Sequence, residues 1–325
     1  MKKFTIIAGL MLCTQGFSQS YPPAAGQEGS TAISYDSELF VNWATTSQIT
    51  RGYINIANPN AQDQGSNFAS YGQDADAIGI ADGVVVSLGD RGTAILTFEK
   101  PIANGPGFDF AVFENSFSDT FLEIAFVEVS SDGQNYFRFP AHSQTQTETQ
   151  VDGFGNVDPT YLNNFAGKYR AMFGTPFDLD DVEAHPLLDK SKITHVKLID
   201  VVGSIDPEYA SFDQFGNKVN DPYPTPFASS GFDLDAVGVI NEGSLNLNES
   251  NLPKVKIYPN PAMNYFQIQN SSNALVKIFN ELGQIVLNQM VEPNEKIDIR
   301  DLKSGIYFVK IQSNQKTTLH KLIKE

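Results

Sequence analysis

The acidic residues are the first side chains in this chain whose spacing could do chemistry. Asp233 and Asp235 stand two apart in FDLDAVGVI (Phe232 to Ile240). On a strand that spacing puts both carboxylates on one face, roughly 7 Å apart. There they repel one another unless a positive charge lies between them or water screens them. Calcium suits such a place, because it takes about six to eight oxygen ligands in loose geometry. Glu114 in VFEN (Val112 to Asn115) and Asp74, Asp76 and Asp82 in GQDADAIGIADG (Gly72 to Gly83) are further acidic candidates. The predicted metal set is therefore Asp233, Asp235, Glu114, Asp82 and Asp76, with a structural calcium as cofactor. The competing reading makes these aspartates turn caps that face solvent.

Two other segments resemble each other, DGFGN (Asp152 to Asn156) followed by Asp158-Pro159, and DQFGN (Asp213 to Asn217) followed by Asp221-Pro222. They lack the terminal Glu of an EF-hand loop, and turn chemistry accounts for them better. Exposed aromatics can stack on ring-shaped ligands, and Trp43, Tyr53, Tyr71, Tyr161, Tyr169 and Phe173 all fall in loop-like stretches. Lys168 and Arg170 add rare positive charge beside them, so Tyr169, Arg170, Phe173 and Lys168 are the predicted ligand contacts. The four histidines are His142, His185, His195 and His320. None of their spacings matches a helical zinc pair, and no Gly-x-Ser-x-Gly elbow or Walker loop occurs. A carboxylate-pair glycosidase needs only the right spatial separation, so it stays open as an alternative to a binding protein or an adhesive coat protein.

The elements that must position these residues are strands. Period-two or apolar runs predict strands at Gly83 to Leu88, Gly92 to Phe98, Phe108 to Glu114, Leu122 to Ser130, Asn135 to Phe139, Ile193 to Val201 and Phe232 to Ile240. In the last of these, Phe232, Leu234, Ala236, Gly238 and Ile240 are expected to form one core face. Ala141 to Lys192 reads as one long insert. The expected class is all-β, a jelly-roll-like sandwich over 20–241, then a linker at 242–253 and a smaller immunoglobulin-like sandwich over 254–325.

Charge is divided unevenly between these parts. Ser20 to Ser250 hold 10 basic and 32 acidic residues, a net charge of −22. Such a field repels phosphate backbones and anionic lipid, which excludes nucleic acid as a partner and favours cations. Lys2 and Lys3 ahead of the apolar run Phe4 to Cys13 have the layout of a secretory signal peptide, with cleavage expected near Gln19. Cys13 is the sole cysteine. Its removal leaves a mature chain without disulfides or thiolate chemistry.

From Lys254 on, seven short strands are expected in about 70 residues: Val255 to Tyr258, Phe266 to Gln269, Leu275 to Phe279, Ile285 to Leu287, Ile297 to Ile299, Ile306 to Ile311 and Leu319 to Ile323. KIYPNPAMN (Lys256 to Asn264), IFNELGQIV (Ile278 to Val286), IDIRDLKSGIYFVKI (Ile297 to Ile311) and HKLIK (His320 to Lys324) resemble the type A sorting domain of the type IX secretion system. That resemblance implies export across a Gram-negative outer membrane, with the secretion machinery as partner, and a secreted or cell-surface location.

The acidic part resembles a family of uncharacterised bacterial cell-surface proteins through VVVSLGDRGTAILTFEKPI (Val84 to Ile102), GPGFDFAVFENSF (Gly105 to Phe117), FVEVSSDGQNYFRFP (Phe126 to Pro140), NNFAGKYRAMFGTPFDL (Asn163 to Leu179) and SSGFDLDAVGVIN (Ser229 to Asn241). It is also distantly similar to discoidin and carbohydrate-binding jelly rolls. The first likeness implies a capture protein beside an outer-membrane uptake complex, for a nutrient such as a glycan or a cobalamin. The expected function is extracellular ligand binding without catalysis.

Overall fold

A computed structural model describes residues 20–243, 256–269, 273–280, 284–293, 295–313 and 316–325. The expected signal peptide at 1–19 and most of the expected linker lie outside the described residues. Those up to 243 form one compact unit and those from 256 another. Among the described residues, helical structure is limited to three short 3-10 turns, at Asp74–Ala77, Pro159–Tyr161 and Leu179–Asp181.

The first unit contains β1 (Ile33–Ser34), β2 (Asn42–Trp43), β3 (Thr46–Thr50), β4 (Val86–Ser87), β5 (Thr93–Ile102), β6 (Phe110–Glu114) and β7 (Ala125–Ser130). It continues with β8 (Phe137–Arg138), β9 (His142–Ser143), β10 (Leu162–Asn163), β11 (Phe165–Ala166), β12 (Phe173–Phe177), β13 (Ile193–Asp200) and β14 (Asp233–Val239). One sheet runs β1-β12-β6-β14-β2, with β4 also on β14. The other runs β11-β7-β13-β5-β3, with β8 on β7. The chain changes sheet from β5 to β6, from β6 to β7, from β12 to β13 and from β13 to β14. With the early strand β2 beside the last strand β14, this is the double Greek key of a jelly roll.

Apolar side chains from both sheets meet between them, with Phe110, Val112, Phe177, Leu234, Val237 and Val239 facing Ala94, Leu96, Val127, Val129, Val196 and Leu198. The first sheet is also covered on its outer side, where Phe40 and Trp43 pack on Phe113 at ring separations of 5.5 and 5.4 Å. Cover on both faces explains why every residue of β6 and β14 is buried and why FAVFE does not alternate. Trp43 therefore belongs to a strand and to packing, not to an exposed loop.

Two expectations need correction. The single core face through β14 fails because the β6–β14 register shifts between Leu234 and Ala236, a bulge at Asp235. Since side-chain facing has a period of two, one extra residue exchanges the faces. Leu234 and then Val237 and Val239 enter the inter-sheet core, whereas Ala236 joins the Phe113 cluster on the other side. The segment Ala141 to Lys192 is not an insert either. It supplies β9 to β12, and β12 pairs with both β1 and β6. Gly174 and Pro176 obscure this strand in the sequence, because both residue types weaken a strand reading.

The start of the expected linker is packed: Glu242 bridges to Ile102 and its carboxylate pairs with Lys100 at 2.8 Å. The second unit has all seven expected strands, β15 (Lys256–Tyr258), β16 (Tyr265–Gln269), β17 (Ala274–Phe279), β18 (Ile285–Val291), β19 (Lys296–Asp298), β20 (Gly305–Ser313) and β21 (Lys316–Lys324). They form sheets β15-β16-β19 and β18-β17-β20-β21. Phe266, Ile268 and Ile297 from the first pack with Val276, Ile278, Val309, Ile311 and Leu322 from the second.

Candidate functional site

Antiparallel register decides which residues share an end of the jelly roll. The end of β6 lies beside the start of β14, and the end of β13 lies beside the start of β7. Glu114, Glu123, Asp200 and Asp233 thus come to one end, with the loops that follow β6 and β13. All four carboxylates are buried there, and so are Asp90 and Asp221.

Each is held by a few donors. Asp200 receives the backbone N–H groups of Arg91 and Phe232 at 3.0 and 2.8 Å. Asp235, at the bulge, receives those of Asp82 and Gly83, both at 3.1 Å. Asp233 accepts from the Ser87 hydroxyl. Glu114 Oε2 accepts from Ser116 N at 2.8 Å, and Asp221 Oδ2 from Ile124 N at 3.2 Å. Glu114 Oε1 and Asp221 Oδ1 are buried with no hydrogen-bond partner. Gly167 lets the chain pass close to Glu123. It adopts a left-handed φ of 80°, and a Cβ there would lie 2.0 Å from the Glu123 carbonyl oxygen.

Burial disfavours the charged form of an acid. It pushes the Glu114, Glu123, Asp200 and Asp221 carboxyls well above the usual carboxylate range, with neighbouring carboxylates adding to the effect. Burial also raises Asp90 and Asp235 to about 6 and Asp233 to about 7, although the Ser87 hydroxyl and the Arg51 charge oppose the rise at Asp233. Arg51 donates to the backbone carbonyls of Tyr71, Ser87 and Gly72.

Of the expected metal set, Glu114 and Asp233 come to this buried end. Asp235 is taken up by backbone N–H groups. Asp82 is exposed and accepts from Val84 N, and Asp76 closes a capping box with Gln73. Among the described residues, no three acidic or histidine side chains already stand around one point as a metal cage. Glu123, Asp200, Asp221 and Asp90 were not in the expected set. Glu123 in FLEIAFV and Asp200 in KLIDVV did carry a signal, a lone acid inside an apolar run. The two similar segments fix turns: Asp152 accepts from Phe154 N, and Asp213 from Phe215 N and Asn217 N.

The expected ligand contacts are largely internal. Tyr169 is 1% exposed with its hydroxyl on Thr31, and Lys168 is 4% exposed. The Lys168 ammonium donates to the Leu162 carbonyl at 2.8 Å, and burial lowers its pKa to about 7. Arg170 is held by Asp119 and the Ala25 carbonyl and lies 4.5 Å over the Phe173 ring. The expectation of a loop surface fails for Tyr169 and Lys168, because β12 and the loops around it enclose both side chains.

A different set of aromatics is exposed at the same loop end. Phe117 is 76% exposed, Phe154 68% and Phe227 41%. Phe117 stacks on the buried Phe121 at 4.4 Å, Phe121 on Phe154 at 6.3 Å, and Phe154 meets Phe227 at 5.6 Å. Three loops build this ridge: Thr120 Oγ1 donates to Asn156 Oδ1 at 2.7 Å and Val157 N to the Thr120 carbonyl at 2.7 Å, and Tyr223 N, ahead of Phe227, donates to the Val151 carbonyl at 3.1 Å. Elsewhere, a cleft of about 230 Å³ is lined by Arg138, Asp181, Glu183 and Phe212.

The solved structures similar to the chain include a biofilm-associated protein, its BSP domain, at 12% identity and a TM-score of 0.19, covering 87% of this chain and 52% of that one. A β-glucuronidase from Ruminococcus gnavus in complex with uronic deoxynojirimycin is similar at 9% identity and a TM-score of 0.20, covering 86% and 45%. The chain spans about half the length of these structures, and at such scores neither likeness bears on function. No curated protein matches the chain. Residues 256–325 match the family described as the secretion system C-terminal sorting domain. The seven-stranded second unit is accordingly a type IX sorting domain, and the protein that carries it is secreted or attached to the cell surface.

Proposed function

We propose that the jelly roll is a non-catalytic binding head, which the sorting domain delivers to the cell exterior and which meets a ring-bearing ligand, a glycan, on the ridge formed by Phe117, Phe154 and Phe227. The observation that carries this reading is the exposure of three phenylalanine rings on one loop end, Phe154 touching Phe227 directly and Phe117 joined to Phe154 through the buried Phe121. Large apolar side chains so grouped on a soluble surface are characteristic of interaction sites. Flat rings offer a stacking surface to the C–H face of a sugar, and Thr120, Asn156 and Asp152 on the same loops can hydrogen-bond its hydroxyls.

The test is a glycan array probed with the full chain, followed by titration of any glycan that binds. Phe117→Ala and Phe154→Ala are each expected to weaken binding about tenfold, equivalent to about 1.4 kcal/mol. Their melting temperatures should match the parent, because the removed rings are mostly in solvent. Undiminished binding by both variants refutes the ridge, and release of shortened products from a polysaccharide would make the head a hydrolase.

A further inference from the structure

We propose that the loop end of the jelly roll binds one divalent cation of the hard, oxygen-seeking class that calcium represents, through Glu123, Glu114 and Asp233, with Asp221 completing the carboxylate set. The inference is independent of the aromatic ridge. It begins from charge. Each of these four side chains is less than a tenth exposed, and burying several carboxylates together is unfavourable unless they take up protons or something positive joins them. Among the described residues, no Lys or Arg forms an ion pair with any of the four. Arg51 spends its donors on the carbonyls of Tyr71, Ser87 and Gly72, and the Lys168 ammonium rests on the Leu162 carbonyl.

The second observation concerns individual oxygens. Glu114 and Asp221 are each anchored through one carboxylate oxygen by a backbone N–H group, which leaves Glu114 Oε1 and Asp221 Oδ1 buried without a partner. Native structures rarely leave such atoms alone, and an unplaced ion is one of the few explanations. Asp233 is anchored in the same one-sided way by Ser87. Glu123 feels the charges of Asp233, Glu114, Asp221 and Asp200. Asp200 and Asp235 differ, because both oxygens of each are occupied by N–H groups.

Ligand chemistry selects the ion. An all-carboxylate set without sulfur or imidazole suits calcium, magnesium or manganese better than zinc or copper. Calcium is favoured because it tolerates irregular geometry and accepts backbone carbonyls as further ligands. The four carboxylates do not yet surround one point. Glu123 and Asp221 lie in loop segments outside the strands, and a shift of those loops gathers them around the ion.

The experiment is calorimetric titration of the full chain with calcium after treatment with a chelator, paired with thermal melts in calcium and in chelator. One ion per chain is expected to bind and to raise the melting temperature of the head. Glu123→Gln should lose both the binding heat and the calcium-induced shift, and in chelator it should melt no lower than the parent, since it removes one of four crowded charges. Asp76→Asn, in the surface capping box, should keep both. Should Glu123→Gln fail to fold, Glu114→Gln gives the same comparison. Absence of binding heat and of any shift in the parent overturns the site, and so does a Glu123→Gln or Glu114→Gln chain that binds calcium as the parent does.

Discussion

Asp90 shows most simply how burial at the loop end reaches solution behaviour. Its carboxyl accepts from Ile56 N, yet burial still raises its pKa from 3.8 to about 6. The folded state therefore holds a proton that the unfolded chain gives up near pH 4. Between those values the native state binds more protons, so stability falls as pH rises. A shift of this size corresponds to about 3 kcal/mol. Asp233, raised to about 7, extends the window upward. In chelator, the head is expected to melt at a higher temperature at pH 5 than at pH 8, and a scan that is flat or rises with pH would contradict the buried acids. Isolated acids in apolar runs, Glu123 and Asp200, were visible in the sequence. Their convergence with Asp221 and Asp233 was not, because it depends on strand register and on two loops far apart in the chain.

At the scale of elements, the bulge at Asp235 decides what β14 does. It turns Val237 and Val239 into the inter-sheet core and sends Ala236 and Gly238 toward Phe113, Phe40 and Trp43. Val237→Ala should destabilise the head by about 2 kcal/mol, as expected for removing buried methyl groups from a packed core. Gly238→Ala should destabilise it as well, because a Cβ there would lie 2.6 Å from the Phe40 ring. Denaturant unfolding of the full chain measures both, and a neutral Val237→Ala would mean that the unshifted alternation of the sequence was right. Most strands of the head were legible because β-branched and aromatic runs are bounded by turn residues. β12 was hidden by Gly174 and Pro176, and the short β1 and β2 have too few residues to show a period.

The whole molecule joins an acidic head to a sorting domain. Removal of residues 256–325 is expected to leave no head on the cell exterior, as judged by surface labelling of intact cells, whereas the full chain is labelled or recovered in the medium. Equal surface labelling of the truncated chain would contradict the role of the second unit. The sequence by itself determined the all-β class, the seven strands of the second unit and its export role. These reside in local patterns of at most fifteen residues, such as Ile297 to Ile311, which survive without knowledge of partners. Glu114 and Asp233 stood among its candidate acids, and the structure buries both at the loop end. Only the tertiary structure decided that Tyr169 and Lys168 are interior, that Phe117, Phe154 and Phe227 form the exposed ridge, and that the buried acids share one end. Exposure and convergence depend on which strands pair and which loops cover them, and in a double Greek key those partners are set by contacts between residues more than a hundred positions apart, such as Glu114 and Leu234.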